Sequence, residues 1–309
     1  MYRNLNSRLG FLVISLSSLT VLLGGCLGDG SSGSSGNLTL GITDAPVDGA
    51  QHVYVQFSGL ELHGSSAGGI TLNFCEDPAN ANNTVVSTNT CAKSKPKKID
   101  LLNLNSGKSD ELISGYTLDA GHYQWVRLMV DTANQLDSYI VLSDGSNHEL
   151  TIPSGSETGL KLVHGFDVAA GGNMNFTIDF DLRKSVHSAD GSYMLKPALR
   201  LVDNLQVGSV AGTVSASLLT SCNGPAVYVY SGSSVTPTDV NTSLNTGPIT
   251  SAAVNLTDNT YKAAFLEAGN YTVAFSCVAT DDPAATNILT FSGTSNVTVT
   301  ANTKTEHNF

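Results

Sequence analysis

Basic residues are scarce in this sequence: 15 Lys and Arg stand against 26 Asp and Glu among 309 residues, a formal net charge of −11. Proteins that bind nucleic acid neutralise phosphates with clustered positive charge, so this balance excludes a nucleic-acid partner. A strongly acidic chain also disfavours non-specific contact with anionic lipid. The charge therefore favours solubility and does not indicate a DNA- or RNA-binding protein.

Long hydrophobic runs are also scarce, and the conspicuous one lies at residues 11–23. It follows Arg3 and Arg8 and ends in small residues, which is typical of a secretory signal and too short for a membrane span. Residues 23–26, Leu-Gly-Gly-Cys, resemble the lipobox of bacterial lipoproteins. The resemblance implies cleavage after residue 25 and acylation of Cys26. By analogy with Gram-negative lipoproteins, Leu27 implies sorting to the outer membrane, with either leaflet open.

The remaining chain has the composition of β domains on a tether. Residues 26–36 are rich in Gly and Ser and predict a flexible coil after the signal peptide at 1–25. Residues 173–182 alternate apolar and polar side chains with a period of two, which predicts a half-buried antiparallel strand. We predict an all-β protein of two antiparallel β-sandwich domains, 37–204 and 205–309. Further strands are expected at 38–42, 53–57, 70–74, 123–130, 139–142 and 193–202, and a helical turn or two at 109–113.

Cysteines are few, and four remain once Cys26 is acylated. An even number in an exported chain indicates disulfides. Of the three possible pairings we favour Cys75–Cys91 and Cys222–Cys277, because each stays within one predicted domain. A metal site is the alternative, but the sequence has no C-x-x-C pair, and the spacing of its histidines does not suit zinc.

One short motif occurs twice. Residues 118–123 read Leu-Asp-Ala-Gly-His-Tyr, and residues 266–271 read Leu-Glu-Ala-Gly-Asn-Tyr. The glycine can adopt the positive φ of a tight turn, and the tyrosine can pack its ring while its hydroxyl reaches back to the turn backbone. We interpret both copies as structural turns that lead into a strand.

The first predicted domain resembles a family of bacterial envelope lipoproteins, the domain of unknown function 4382. The matching segments are 42–48, 53–63, 99–102, 118–128 and 195–201, which together span 37–204. The resemblance implies a β-rich exported domain and brings no known catalytic residues. It does not account for the insert between Cys75 and Cys91.

The second predicted domain resembles transthyretin-like sandwiches of the carboxypeptidase-regulatory type. The matching segments are 210–214, 225–230 and 261–273, and 296–301 would be the last strand. Such modules imply adhesion, spacing or carbohydrate contact. Strand alternation places Tyr228 and Tyr230 on one face, opposite Val227 and Val229, and makes the two tyrosines the candidate ligand-binding residues.

Few residues suggest other chemistry. Asp44 follows the first strand, and Asp179 and Asp181 share the polar face of residues 173–182. All three are weak candidates for Ca²⁺ ligands. A turn cap is favoured for Asp44, and a solvated strand face is favoured for Asp179 and Asp181. His63 and His122 are interpreted as surface residues. The lysines of 93–98 indicate a solvated loop, with contact to anionic glycan as the alternative. The Gly-x-Ser-x-Gly at 64–68 predicts a hairpin loop and not a nucleophile elbow.

The function predicted from these features is that of a membrane-anchored envelope lipoprotein with a non-catalytic binding or structural role and no cofactor. Its expected partners are the membrane, through the lipid, and an envelope protein or glycan. A carbohydrate-binding surface lipoprotein is the first alternative. An envelope hydrolase is the second, because folding alone can bring two carboxylates together.

Overall fold

The computed structural model describes residues 34–47, 49–64, 68–153, 155, 159–240, 247–277 and 289–309. These residues form an all-β fold, as predicted. Up to residue 203 the strands are β1 (Ser35–Ala45), β2 (Ala50–Gly64), β3 (Gly68–Asp77), β4 (Asn80–Ser87), β5 (Lys97–Asp100), β6 (Asp110–Asp119), β7 (Gly121–Val130), β8 (Tyr139–Leu142), β9 (Asn147–Thr151), β10 (Leu160–Leu162), β11 (Phe166–Val168), β12 (Asn173–Asp181), β13 (Val186–Ala189), β14 (Ser192–Leu195) and β15 (Leu199–Asp203).

The later strands and the short helical turns complete the described elements. The strands are β16 (Val207–Thr213), β17 (Ala226–Ser231), β18 (Thr250–Ala253), β19 (Thr260–Glu267), β20 (Gly269–Ser276), β21 (Phe291–Val299) and β22 (Lys304–Glu306). The helical turns are a 3₁₀ turn (Leu101–Leu104), α1 (Leu182–Ser185) and α2 (Ala216–Leu219). Within the described ranges, no helix is both long enough and apolar enough to cross a membrane.

Strands β1 to β15 form two layers. One sheet has the order β15-β12-β1-β6, and the other runs β10-β7-β2-β8-β9-β14-β13, with β3 and β5 also paired to β2, β4 to β3, and β11 to β7. Inward side chains of both sheets, among them Leu40, Ile178, Val55 and Leu128, share one apolar core. Burial of this kind stabilises a two-sheet packing at roughly 25 cal/mol per Å² of apolar surface.

Strands β16 to β22 form two further sheets, ordered β19-β16-β22 and β18-β17-β20-β21. Val210 and Leu266 from the first pack against Val227 and Phe275 from the second in a separate core. Most pairs in the fold are antiparallel, but β1–β12, β9–β14 and β16–β22 are parallel. Residues 173–182 therefore do not form a purely antiparallel strand, since β12 joins β1 in parallel and β15 in antiparallel register.

The helix predicted at 109–113 is wrong. The segment opens β6, where Ile113 pairs with Leu40 of β1 and is buried. A helix of five residues has too few internal hydrogen bonds to offset nucleation, so sheet pairing prevails. The strand predicted at 193–202 is broken into β14 and β15 around Pro197, which has no N–H to donate to a sheet.

The tyrosine contact predicted for the repeated turn is present in both copies, whereas the positive φ of the glycine is present only in the first. The Tyr123 hydroxyl donates to the Asp119 carbonyl at 3.1 Å, and the Tyr271 hydroxyl donates to the Glu267 carbonyl at 2.7 Å. Gly121 has φ of +148°, a value that side chains disfavour. Each turn carries the chain from one sheet to the other sheet of its pair, from β6 to β7 and from β19 to β20.

Both favoured disulfides are formed. The Cα atoms lie 5.3 Å apart in Cys75–Cys91 and 4.8 Å apart in Cys222–Cys277. The first closes the insert that carries β4, and the second joins the end of β20 to the loop after α2. Gly64 and Gly68 pair across antiparallel strands β2 and β3, which confirms the hairpin expected there.

Candidate functional site

Tyr228 and Tyr230 do not form a ligand-binding patch, which corrects the sequence prediction. Their exposed fractions are 0% and 1%, and Val227 and Val229 on the opposite face are also fully buried. The valines face the core between the two late sheets. The tyrosines face a second apolar cluster with Val240 and Leu289, and Phe291 packs edge-on against both rings. Strand β17 is therefore covered on both sides.

Tyr228 also contacts the earlier part of the chain. The guanidinium of Arg183, on α1, lies 5.0 Å from the Tyr228 ring centroid, and its Nη1 donates to the tyrosine hydroxyl. Arg183 is 1% exposed. A buried guanidinium is costly unless it is well paired, so this contact ties the first two sheets to the last two.

Asp179 and Asp181 are not on a solvated strand face, and this prediction is also wrong. They are 4% and 6% exposed. The Nε of Arg200 donates to Asp179 Oδ2 at 3.0 Å, and the Lys184 ammonium lies 2.9 Å from Asp181 Oδ2. Burial raises the pKa of Asp179, while Arg200 opposes that rise. Each carboxylate thus has its own cation, an arrangement that stabilises structure.

Asp44 lies beside them at the end of β1. Its Oδ1 accepts the Leu182 N–H at 3.2 Å, while its Oδ2 is buried without a hydrogen-bond partner. Burial raises the pKa of Asp44 well above its usual range, and the nearby charges of Asp181 and Asp179 add to the rise. Among the described residues no three His, Cys, Asp or Glu side chains are placed to hold a metal ion. The geometry fits a structural role for Asp44.

The clefts among the described residues include two of similar volume. One of about 400 Å³ is lined by Asp131, Asp137 and Glu149. Its acids are engaged internally: Asp137 Oδ2 accepts the Asn134 N–H at 2.7 Å, and Glu149 accepts from Gln135 at 3.0 Å. These hydrogen bonds shape the loop between β7 and β8.

The other cleft, of about 360 Å³, lies between β15 and the late strands β19 and β20. Arg200 and Tyr271 line it together with His164 and Ile249. Arg200 already pairs with Asp179, and the Tyr271 hydroxyl already donates to Glu267. Polar groups committed to the protein leave little to recognise a ligand.

A third candidate lies on the outward face of strands β2, β7 and β10. We call it the Trp125 surface and define it by Glu61, His63, Trp125, Arg127 and Lys161. In the register of the sheet, His63 pairs with Trp125, Glu61 with Arg127, and Arg127 with Lys161. Neighbouring strands lie about 4.8 Å apart, so these side chains form two adjacent rows on one face.

The aromatic and cationic groups of the Trp125 surface contact one another closely. The His63 and Trp125 rings are parallel within 1°, with centroids 4.8 Å apart. Lys161 Nζ lies 4.4 Å and Arg127 Cζ 4.9 Å from the indole centroid, and both are cation–π contacts. Arg127 Nη1 also donates to Glu61 at 2.9 Å. The side chains are thus held in fixed positions before any ligand arrives.

Several donors of this surface have no hydrogen-bond partner among the residues that the structure describes. Lys161 is exposed, and Trp125 and His63 are half-buried. In the part of the chain that the structure describes, none of these three side chains donates a hydrogen bond to another residue, and Lys161 pairs with no carboxylate.

Sequence reasoning missed the Trp125 surface, although a signal for it exists. In β7, Val126, Leu128 and Val130 point inward, so alternation places Trp125 with Arg127 on the outward face. An aromatic ring on the polar face of an alternating strand is the pattern to look for. The pairing of Trp125 with His63, 62 positions earlier, needs the sheet register.

The remaining predicted residues have ordinary contacts or lie outside the described ranges. His122 pairs with Asp167 at 2.9 Å. Lys97 is half-buried and donates to the Glu111 carbonyl at 2.7 Å, so the lysine segment is not simply a solvated loop. Cys26, the signal peptide at 1–25 and most of the tether lie outside the described residues.

The fold described above defines the chain as an all-β protein, and its sequence also matches a known family. Residues 35–197 match the domain of unknown function DUF4382. This match covers more than half of the sequence, and the chain therefore belongs to that family. No curated protein sequence is significantly similar to the chain.

Several solved structures show weak similarity to the chain. The Bacillus anthracis TIE protein is 11% identical, with 88% of this chain and 33% of that one covered and a TM-score of 0.20. The Streptococcal ancillary pilin is 13% identical, with 90% and 63% covered and a TM-score of 0.19. A minor pilin of Streptococcus agalactiae is 10% identical, with 88% and 94% covered and a TM-score of 0.21. The chain thus spans a third of the first and less than two thirds of the second.

Proposed function

We propose that this chain is a cell-envelope lipoprotein, anchored in the outer membrane through Cys26, that binds an envelope partner without catalysing a reaction. The observation that carries the binding role is the Trp125 surface, where a fixed aromatic pair stands beside donors that the described protein does not use. Aromatic and Arg side chains are enriched at binding sites because they provide contact area and hydrogen bonds from few rotatable bonds.

The contacts of Asp179 and Asp181, the best candidates for catalytic acids, support a non-catalytic role. Asp179 and Asp181 are buried and paired with Arg200 and Lys184. A catalytic carboxylate must instead reach a substrate atom, directly or through one water. The transthyretin-like character of 205–309 remains a prediction from its sequence segments and fits a supporting module.

The anchor is tested on the full chain in its bacterial host. We expect the intact mass from residue 26 onward to exceed that of the polypeptide by several acyl groups, because buried methylenes at about 0.8 kcal/mol each provide stable attachment. Cys26→Ser should release the protein from the membrane fraction, while Ser31→Ala should leave it there. An unmodified Cys26 would contradict the anchoring proposal.

The binding role is tested by co-sedimentation of the purified full chain with isolated envelope fragments. Trp125→Leu should reduce the sedimented fraction because it removes the centre of the surface. Tyr139→Leu is the matched control, since Tyr139 also lies half-buried on the outward face of the same sheet and stacks on Tyr54 at 4.7 Å. Equal sedimentation of parent and Trp125→Leu would discard this surface as the binding site.

A further inference from the structure

The Trp125 surface offers mainly hydrogen-bond donors and positive charge. Lys161 and Arg127 lie over the indole ring of Trp125, whose N–H is a further donor, and Glu61 is the acid among the five residues that define the surface. Arg127 has that acid as its partner, while Lys161 pairs with no acid among the described residues. A ligand that matches this surface must therefore supply acceptors and negative charge.

The rest of the protein carries the opposite charge. The whole chain has a formal net charge of −11. At physiological ionic strength charges are screened beyond about 8 Å, so a ligand near Trp125 experiences the local cations more than the net charge. A broad anionic object, such as a lipid bilayer, would also meet the acidic surroundings, whereas a single flexible polymer strand can stay on the surface itself.

The arrangement of the aromatic rings further restricts the kinds of ligand that fit this surface. His63 covers one face of the indole, and the Lys161 ammonium lies 4.4 Å from the ring centroid. The surface lies on a sheet face and not in an enclosed pocket, so it suits an extended chain. A polysaccharide of carboxylate-bearing sugars is such an extended chain. Its sugar units provide hydrogen-bond acceptors, negative charge and C–H edges.

We propose that the Trp125 surface binds an acidic polysaccharide, with Lys161 and Arg127 contacting sugar carboxylates and the indole N–H of Trp125 donating to a sugar oxygen. This inference rests on the proposed binding function and specifies the ligand of the same surface. Lys161 would then form a charge-assisted hydrogen bond to a sugar carboxylate, in place of its cation–π contact or together with it. Such a bond is roughly twice as strong as a neutral hydrogen bond.

The test is calorimetric titration of the purified full chain in detergent with polygalacturonate, and with its methyl ester as the uncharged match. We expect polygalacturonate to bind, the ester not to bind, and affinity to fall as NaCl is raised. Lys161→Glu should weaken binding by about tenfold or more, because it replaces attraction with repulsion at the ligand. Lys196→Glu changes the net charge equally at an exposed site following β14, near the far end of the same sheet, and should change the Kd by less than about twofold.

The outcomes separate this inference from the proposed function. Equal affinity for the acid and the ester, or an unchanged Kd in Lys161→Glu, would overturn the acidic ligand. In that case, loss of ester binding in Trp125→Leu would leave the surface standing as a binding site for neutral glycan. Binding that neither Trp125→Leu nor Lys161→Glu alters would overturn both. Absence of binding to either polymer would overturn the polysaccharide inference. Co-sedimentation with envelope fragments would then decide whether the Trp125 surface is a binding site.

Discussion

The contact between Arg183 and Tyr228 makes a sharp prediction about stability. Tyr228→Phe removes one hydroxyl and leaves the ring in its packed position. The Arg183 Nη1 donor then loses its phenolic partner at a site where the arginine is 1% exposed. Hydrogen bonds to charged groups contribute about 1.5–3 kcal/mol, so we expect the free energy of unfolding to fall by about 2 kcal/mol. Urea unfolding, followed by tyrosine fluorescence and circular dichroism, measures this change.

Tyr230→Phe is the matched control for this experiment. Tyr230 lies two residues away on the same strand and is equally buried, and its hydroxyl donates at 2.6 Å to the uncharged carbonyl of Thr238. Its removal should cost about 1 kcal/mol, the ordinary value for a neutral hydrogen bond. Because Arg183 and Tyr228 belong to different pairs of sheets, Tyr228→Phe should also lower the midpoints of the fluorescence and circular-dichroism transitions together. A loss for Tyr228→Phe no larger than that for Tyr230→Phe would refute the reasoning.

Three further predictions concern other parts of the fold. Asp44→Asn keeps an acceptor for the Leu182 N–H and removes the ionisable group. Because burial raises the pKa of Asp44 in the folded state, the parent loses stability as pH rises above the ordinary value of 3.8, so the variant should gain on the parent as pH is raised from that value in urea titrations. Parallel pH profiles of the two proteins would contradict this. Replacing Cys222 and Cys277 by Ala opens a loop of 55 residues and should cost up to about 4 kcal/mol in thermal unfolding, with non-reducing peptide mapping of the parent confirming the pairing. Tyr271→Phe should cost about 1 kcal/mol through its lost bond to Glu267, and a change below about 0.3 kcal/mol would show that the turn does not need its hydroxyl.

Local features of the fold were predictable because their causes lie close together in the sequence. The turns at Tyr123 and Tyr271 depend on a carbonyl four residues earlier, and both hydroxyls reach it. The alternation of β12 likewise identified a strand. What it could not show is that the end of β12 is buried on both faces.

Long-range contacts account for the predictions that were wrong. Tyr228 and Tyr230 are covered by Val240 and Leu289, residues that strand alternation cannot relate to them. Asp179 is buried because Arg200, on the neighbouring strand, compensates its charge. The Trp125 surface is assembled across β2, β7 and β10, so its parts are visible in the sequence but their proximity is not.

The position of β1 has a mechanical consequence. It is an inner strand of its sheet, paired along its length with β12 in parallel and with β6 in antiparallel register. A pull on the N-terminal end of β1, directed along the strand, would load both ladders in shear, so that many hydrogen bonds must break at once. Forced unfolding is governed by the unfolding rate, and such loading keeps that rate low. The strand nearest the proposed anchor is thus placed to resist tension between the membrane and a bound partner.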